Sequence, residues 1–223
     1  MKKINFHITK DASEVTCDLY AFFDRIHSTF DKKDYVLPGG STPRRFYSFL
    51  ATKVDNWSKT RIVLSDERLV GQESKLSNIS NLKKYLLENI DSEKNLPEII
   101  ETASIDLYKT FIPSLTILGL GEDGHTASLF PHDRNIFALP PSQNLYRTKR
   151  VNENFDRFTL TFAFLLKSRN LAILVKGKEK SKILKTVINE NYDPVRYPVQ
   201  YLLNQYHGNV EIFCDESAYG VIA

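Results

Sequence analysis

The run Leu115-Thr116-Ile117-Leu118-Gly119-Leu120 offers almost no polar side chain to either face of an extended backbone. A strand of this kind must be covered on both sides, as a central strand of a parallel α/β sheet is. The rest of the chain repeats the unit that such a sheet requires. Ile4 to Ile8 reads as a strand, and Asp11-Ala12-Ser13-Glu14 as the capped start of a helix with Val15, Leu19, Phe22, Phe23 and Ile26 on one stripe. Tyr35-Val36-Leu37 runs into Pro38-Gly39-Gly40-Ser41-Thr42-Pro43, after which Phe46, Leu50 and Val54 recur at helical spacing. Arg61 to Ser65 leads through Asp66-Glu67-Arg68 to a helix over Asn78 to Glu88, with Ile79, Leu82, Leu86 and Leu87 inward. Later segments alternate in the same way. Strands are expected near Leu145 to Val151, over Leu171 to Val175 and over Val210 to Cys214, and helices near Phe162 to Ser168, Lys178 to Asn189 and Val199 to Tyr206. The expectation is one α/β domain over residues 1–223, a Rossmann-like, doubly wound, mainly parallel sheet flanked by helices.

Charge and composition narrow the class. Thirty basic residues are dispersed among 27 acidic ones for a net charge of +3, too weak and too scattered for a nucleic-acid footprint. A small anion is the better match. No apolar run approaches the roughly 20 residues that span a bilayer, and Met1 to Lys10 holds no signal-peptide core, so a cytoplasmic protein without a membrane partner is expected. Cys17 and Cys214 have no metal-ligand spacing and read as core thiols.

In open parallel sheets, ligands bind beyond the carboxyl ends of the strands, where three polar clusters of this chain fall. In the first, Gly39 and Gly40 permit close backbone approach, Ser41 and Thr42 can cap, and Pro43 suits a first helical turn; free N–H groups there would receive a phosphate. The segment lacks the phosphate loop and the spaced glycines of a dinucleotide site, which disfavours ATP and NAD. The second, Asp66-Glu67-Arg68, places two carboxylates and a guanidinium at a strand end, with Ser77-Asn78 downstream as a helix cap. The third, Gly121-Glu122-Asp123-Gly124-His125, combines flexible backbone with a ring that exchanges protons near neutrality and an acid that can orient it. Apolar content resumes at Thr126-Ala127-Ser128-Leu129-Phe130, so His125 is expected at a helix start, whose dipole would favour the neutral imidazole. Arg157, and Lys180 on a first helical turn after Gly177, can each reach an anion.

Taken in order, "LPGGSTPRRFY", "SDERLV", "SNISNLKKYLL", "ILGLGEDGHTASLFP", "RFTLTFAFL", "LVKGKEKSKIL" and "CDESAYG" resemble the 6-phosphogluconolactonase family, within the superfamily that includes glucosamine-6-phosphate deaminases. Deaminases typically carry Met-Asp-Glu-Tyr where this chain has Ser65-Asp66-Glu67-Arg68, and Ile-Ala-Phe-Asn-Glu after the histidine where it has Thr126 to Phe130, so the resemblance favours the lactonase branch. It implies the sugar-phosphate fold of that superfamily and hydrolysis of 6-phospho-D-glucono-1,5-lactone to 6-phosphogluconate in the oxidative pentose phosphate pathway. Ser74 stands where many members of the family have a histidine, and Ile212 near a tryptophan common in the last strand.

On this reading His125, oriented by Asp123, deprotonates the attacking water, and Arg68 helps backbone N–H groups to stabilise the oxyanion. Gly39, Gly40, Ser41, Thr42, Asp66, Gly124, Arg157 and Lys180 would bind the substrate, the cations and the glycine loop gripping its phosphate. No cofactor or metal is required. Two alternatives are a glucosamine-6-phosphate deaminase and a non-catalytic sugar-phosphate sensor; a serine hydrolase lacks its G-x-S-x-G elbow.

Overall fold

A computed structural model describes residues 3–71, 73–91 and 95–220. Strand β1 (Ile4–Thr9) leads to helix α1 (Ala12–Thr29), whose N-terminus is capped by the Asp11 carboxylate accepting the N–H groups of Ser13 and Glu14. There follow β2 (Lys33–Leu37), α2 (Arg44–Lys53), β3 (Thr60–Leu64), β4 (Asp66–Arg68), α3 (Asn78–Tyr85), β5 (Glu98–Ile100) and β6 (Leu115–Gly119). The second half contains β7 (Leu145–Thr148), β8 (Arg157–Leu160), α4 (Phe162–Leu165), β9 (Leu171–Val175), α5 (Ser181–Asn189), α6 (Val199–Gln205), β10 (Val210–Asp215) and α7 (Glu216–Tyr219).

Seven strands form one sheet in the order β1-β10-β9-β6-β2-β3-β5, every neighbouring pair parallel. Alternate residues of each inner strand enter opposite cores, which is why these strands are apolar throughout. In β9, Leu171, Ile173 and Val175 join one core while Ala172 and Leu174 join the other. Helices α1, α2 and α3 cover the second face with Leu19, Phe23, Phe46, Leu50 and Leu82; α4, α5 and α6 cover the first with Phe164, Leu184 and Leu202. The sheet is doubly wound, as its alternating pattern predicts.

Several local expectations are revised. Asp66-Glu67-Arg68, expected at the end of the preceding strand, forms a strand of its own, β4, which pairs antiparallel with β8 in a separate three-stranded sheet, β4-β8-β7. Helix α3 stops at Tyr85, short of Glu88, and a 3₁₀ turn covers Leu87–Asn89. The short edge strand β5 has no alternation long enough to announce it. Cys214 is buried, but Cys17 is exposed, since it falls on the face of α1 opposite Val15 and Leu19.

The consequence for function lies between β2 and β6. These strands pair directly (Tyr35 with Leu115, Val36 with Thr116), but the sheet continues from β2 toward β3 and from β6 toward β9. The loops that leave their carboxyl ends therefore part in opposite directions and open a crevice at the switch point. Among the described residues, no helix is long and apolar enough to cross a membrane.

Candidate active site

The crevice is a cleft of about 230 Å³. Its walls carry the glycine loop after β2 (Gly39, Gly40, Ser41, Thr42), Asp66 and Arg68 of β4, His125, Arg157 and Lys180. Asp123 and Gly124 stand behind the histidine, outside the lining.

Gly40 has φ of +82°, which the turn requires and a side chain would oppose. Its N–H donates to Asn78 Oδ1 at 3.2 Å, and Asn78 Nδ2 donates to the Asp66 carbonyl at 3.0 Å. Asn78 thus ties the loop after β2 to β4. Ser77 has the capping role that the sequence suggests for this pair, accepting from Ser80 N–H, whereas Asn78 has this second one. Glu67 does not face the cleft: it accepts the N–H groups of Asn78 and Ile79 and holds the start of α3. The hydroxyls of Ser41 and Thr42 do not cap α2, contrary to expectation; a turn bond from Arg44 N–H to the Ser41 carbonyl closes the entry.

The turn after β6 is built around its histidine. Gly121 donates to the His125 carbonyl at 2.8 Å and Gly124 to the Gly121 carbonyl at 3.0 Å, so the chain doubles back on itself. A Cβ on Gly121 would fall against Nδ1 and Cε1 of the imidazole ring, well short of van der Waals contact. Asp123 Oδ1 accepts from the His125 backbone N–H at 3.1 Å and pairs with Nδ1 of the same ring. Partial burial alone would raise the Asp123 carboxyl; the ring, the backbone N–H and the Arg150 charge outweigh it and hold the acid well below the ordinary carboxylate range. An ionised carboxylate only accepts, so Nδ1 carries the hydrogen and Nε2 presents the lone pair.

No helix follows His125. Thr126 Oγ1 donates to the Gly119 carbonyl, Leu129 N–H to the Thr126 carbonyl, and Ala127 has φ of +50°; this is a tight turn, and the helix dipole expected at the ring is absent. What the carboxylate fixes instead is the tautomer, by accepting the hydrogen on Nδ1.

Behind these elements lies a buried charge cluster. Ser128 Oγ donates to Asp66 Oδ2 at 2.6 Å, and Arg157 Nη1 lies 3.6 Å from the same oxygen. Arg157 is 6% exposed, and its Nε and Nη2, the pair that would grip a phosphate two-pronged, donate to Glu153. Neither Ser128 nor Glu153 is marked by the sequence, because one sits in an apolar run and the other in a loop. Arg68 donates Nη1 to the Leu76 carbonyl at 2.8 Å while its Nε is buried without a hydrogen-bond partner. Burial and the neighbouring Arg157 charge lower the pKa of Arg68. Ser74 lies away from the cleft, its hydroxyl accepting from Leu76 N–H in the turn that carries the acceptor of Arg68. Lys180 closes the 3₁₀ turn that enters α5 and lies 3.6 Å from the exposed Glu122. Among the described residues, no group of three His, Cys, Asp or Glu could hold a metal ion.

The family model of glucosamine-6-phosphate isomerases/6-phosphogluconolactonase matches residues 12–212. A 6-phosphogluconolactonase from Xylella fastidiosa is 34% identical over 74% of this chain and 75% of its own length. The solved structure of a 6-phosphogluconolactonase from Shewanella baltica, 25% identical, superposes with a TM-score of 0.83 over 96% of this chain and 98% of that one. A monomeric glucosamine-6-phosphate deaminase, 14% identical, shares the fold with a TM-score of 0.76 over 98% of this chain and 100% of its own.

Proposed function

The chain belongs to the glucosamine-6-phosphate isomerase/6-phosphogluconolactonase family, and on that premise we propose that His125 is the general base by which it hydrolyses 6-phospho-D-glucono-1,5-lactone to 6-phosphogluconate, in the cytoplasm, as a step of the oxidative pentose phosphate pathway. The observation that carries this reading is the ring of His125, held from behind by Asp123, on the wall of one cleft with the glycine loop and Lys180.

Nε2 takes a proton from water as its oxygen bonds to the lactone carbonyl carbon. The carbonyl oxygen becomes an oxyanion, for which Arg68, on the wall of the cleft, is the candidate donor. As the intermediate collapses, the bond from the carbonyl carbon to the ring oxygen breaks and His125 returns its proton to that oxygen. The loop at the start of α2 and Lys180 hold the phosphate, fixing the far end of the substrate. Arg157 lends its charge to this end of the site rather than a two-pronged grip, since Glu153 occupies its fork.

Residues, not fold, favour the lactonase over the deaminase, because both branches share the architecture. A deaminase-like run has phenylalanine where this chain has Ser128, and a phenyl group cannot donate to Asp66 as Ser128 does. Lactone opening and ammonia release from glucosamine 6-phosphate, assayed side by side, separate the readings. Acid release from the lactone above the spontaneous rate is expected; ammonia release without it would favour the deaminase, and binding of 6-phosphogluconate without turnover a sensor.

Lys180→Ala tests the phosphate end. The KM for lactone should rise about tenfold with kcat within about twofold, as expected when a charge-assisted contact held equally in ground and transition states is lost. An unchanged KM would remove Lys180 from the phosphate site. Arg157→Ala is a poorer probe, because it strips the buried Asp66 and the partly buried Glu153 of their shared partner and costs stability as well.

A further inference from the structure

The ring of His125 uses only one of the two oxygens of Asp123. The other, Oδ2, accepts from Arg150 Nη2 at 3.0 Å. Arg150 lies between β7 and β8, so it reaches the pair from the small antiparallel sheet and not from the glycine turn. Its guanidinium also sits over Phe130, 5.7 Å from the ring centroid, and Phe130 packs against His125 with centroids 5.1 Å apart. One side chain therefore touches both groups that set the direction of the imidazole: the carboxylate bonded to Nδ1 and the aromatic ring beneath it.

This matters because Asp123 is carried on a short turn and its side chain is 35% exposed. A carboxylate there can rotate about its staggered torsions unless both oxygens are held. The backbone of the turn holds Oδ1, and Arg150 holds Oδ2 from an independent element. We propose that Arg150 is a positioning residue, which fixes Asp123 and Phe130 so that Nε2 of His125 stays directed at the substrate carbonyl. Arg150 touches neither the lactone nor the attacking water. The assignment rests on His125 being the base. No motif in the sequence draws attention to Arg150: it falls in the strand expected near Leu145 to Val151, which the structure ends at Thr148.

The test is Arg150→Ala in the full chain. The fall expected in kcat is about tenfold with KM within about twofold, on the scale of a half-exposed charge pair that orients the base and not of losing the base itself. Arg150→Lys should recover most of the rate, because an ammonium still pairs with Oδ2 although it cannot lie flat on Phe130. In an Asp123→Asn background, Arg150→Ala should change kcat by less than about twofold, since the charge pair with Asp123 carries the larger part of its effect. Independently of turnover, the Nδ1 proton of His125 should give a downfield NMR resonance in the unliganded wild type that shifts or broadens in Arg150→Ala. An unchanged kcat in Arg150→Ala, an equal fall in the Asp123→Asn background, or an unaltered resonance would each overturn the proposal. If the wild type does not open the lactone but the resonance still responds, the positioning role stands and the lactonase reading falls.

Discussion

Replacing His125 by alanine should lower kcat/KM for lactone opening by about two to four orders of magnitude, the contribution typical of a positioned general base. The loss should be chemical and not structural. His125 lies on a surface turn with its side chain 22% exposed, and its side-chain hydrogen bond is to a residue two positions away. Removing the ring leaves the two cores untouched, so the thermal midpoint should move little. The measurement is the initial rate of acid release at constant pH, corrected for spontaneous opening of the lactone, beside a melting curve. A variant that retains its rate to within about threefold would show that some other group takes the proton.

The second large effect comes from a residue without a side chain. Gly121→Ala should reduce kcat by about a hundredfold, the scale on which a misplacement of about 1 Å penalises a reaction that depends on orientation. The added methyl would occupy the space of the imidazole, so the ring must swing away or the turn must open. Gly121 is not among the glycines with positive φ, hence alanine is tolerated by the backbone and the clash with the ring is the dominant effect. KM should change far less than kcat, because the loop and the lysine proposed to hold the phosphate lie on other elements. Wild-type kcat in this variant would mean that the ring does not need its present position for turnover.

What could be read in advance follows from what periodicity records. The inner strands are apolar on both faces and the helices carry one apolar stripe each, so the layered sheet is written in residues such as Leu171 to Val175 and Val15 to Ile26. The three polar clusters were also legible, since each follows a strand. The partners that hold those clusters were not. Glu153, Arg150 and Ser128 act through space from a loop or from within an apolar run, and no spacing links them to Arg157, Asp123 or Asp66. The helix expected after His125 failed for a local reason: Thr126 spends its hydroxyl on the Gly119 carbonyl, and Ala127 turns into the left-handed region, so composition favourable to a helix was overruled by two backbone constraints. Strand β4 was missed because a three-residue segment has too little alternation to register; only its pairing with β8 reveals it.

The adjacency of β2 and β6 joins segments far apart in the chain. The glycine loop leaves one of these strands and the turn of His125 leaves the other, with β3, α3 and β5 in the chain between them. Closing so long a loop is among the slower steps available to a chain, because its entropy is lost before the pairing repays it. Secondary structure can therefore be regained while the enzyme is still silent, and the return of turnover in a refolding experiment would be a clock for closure of the sheet's centre.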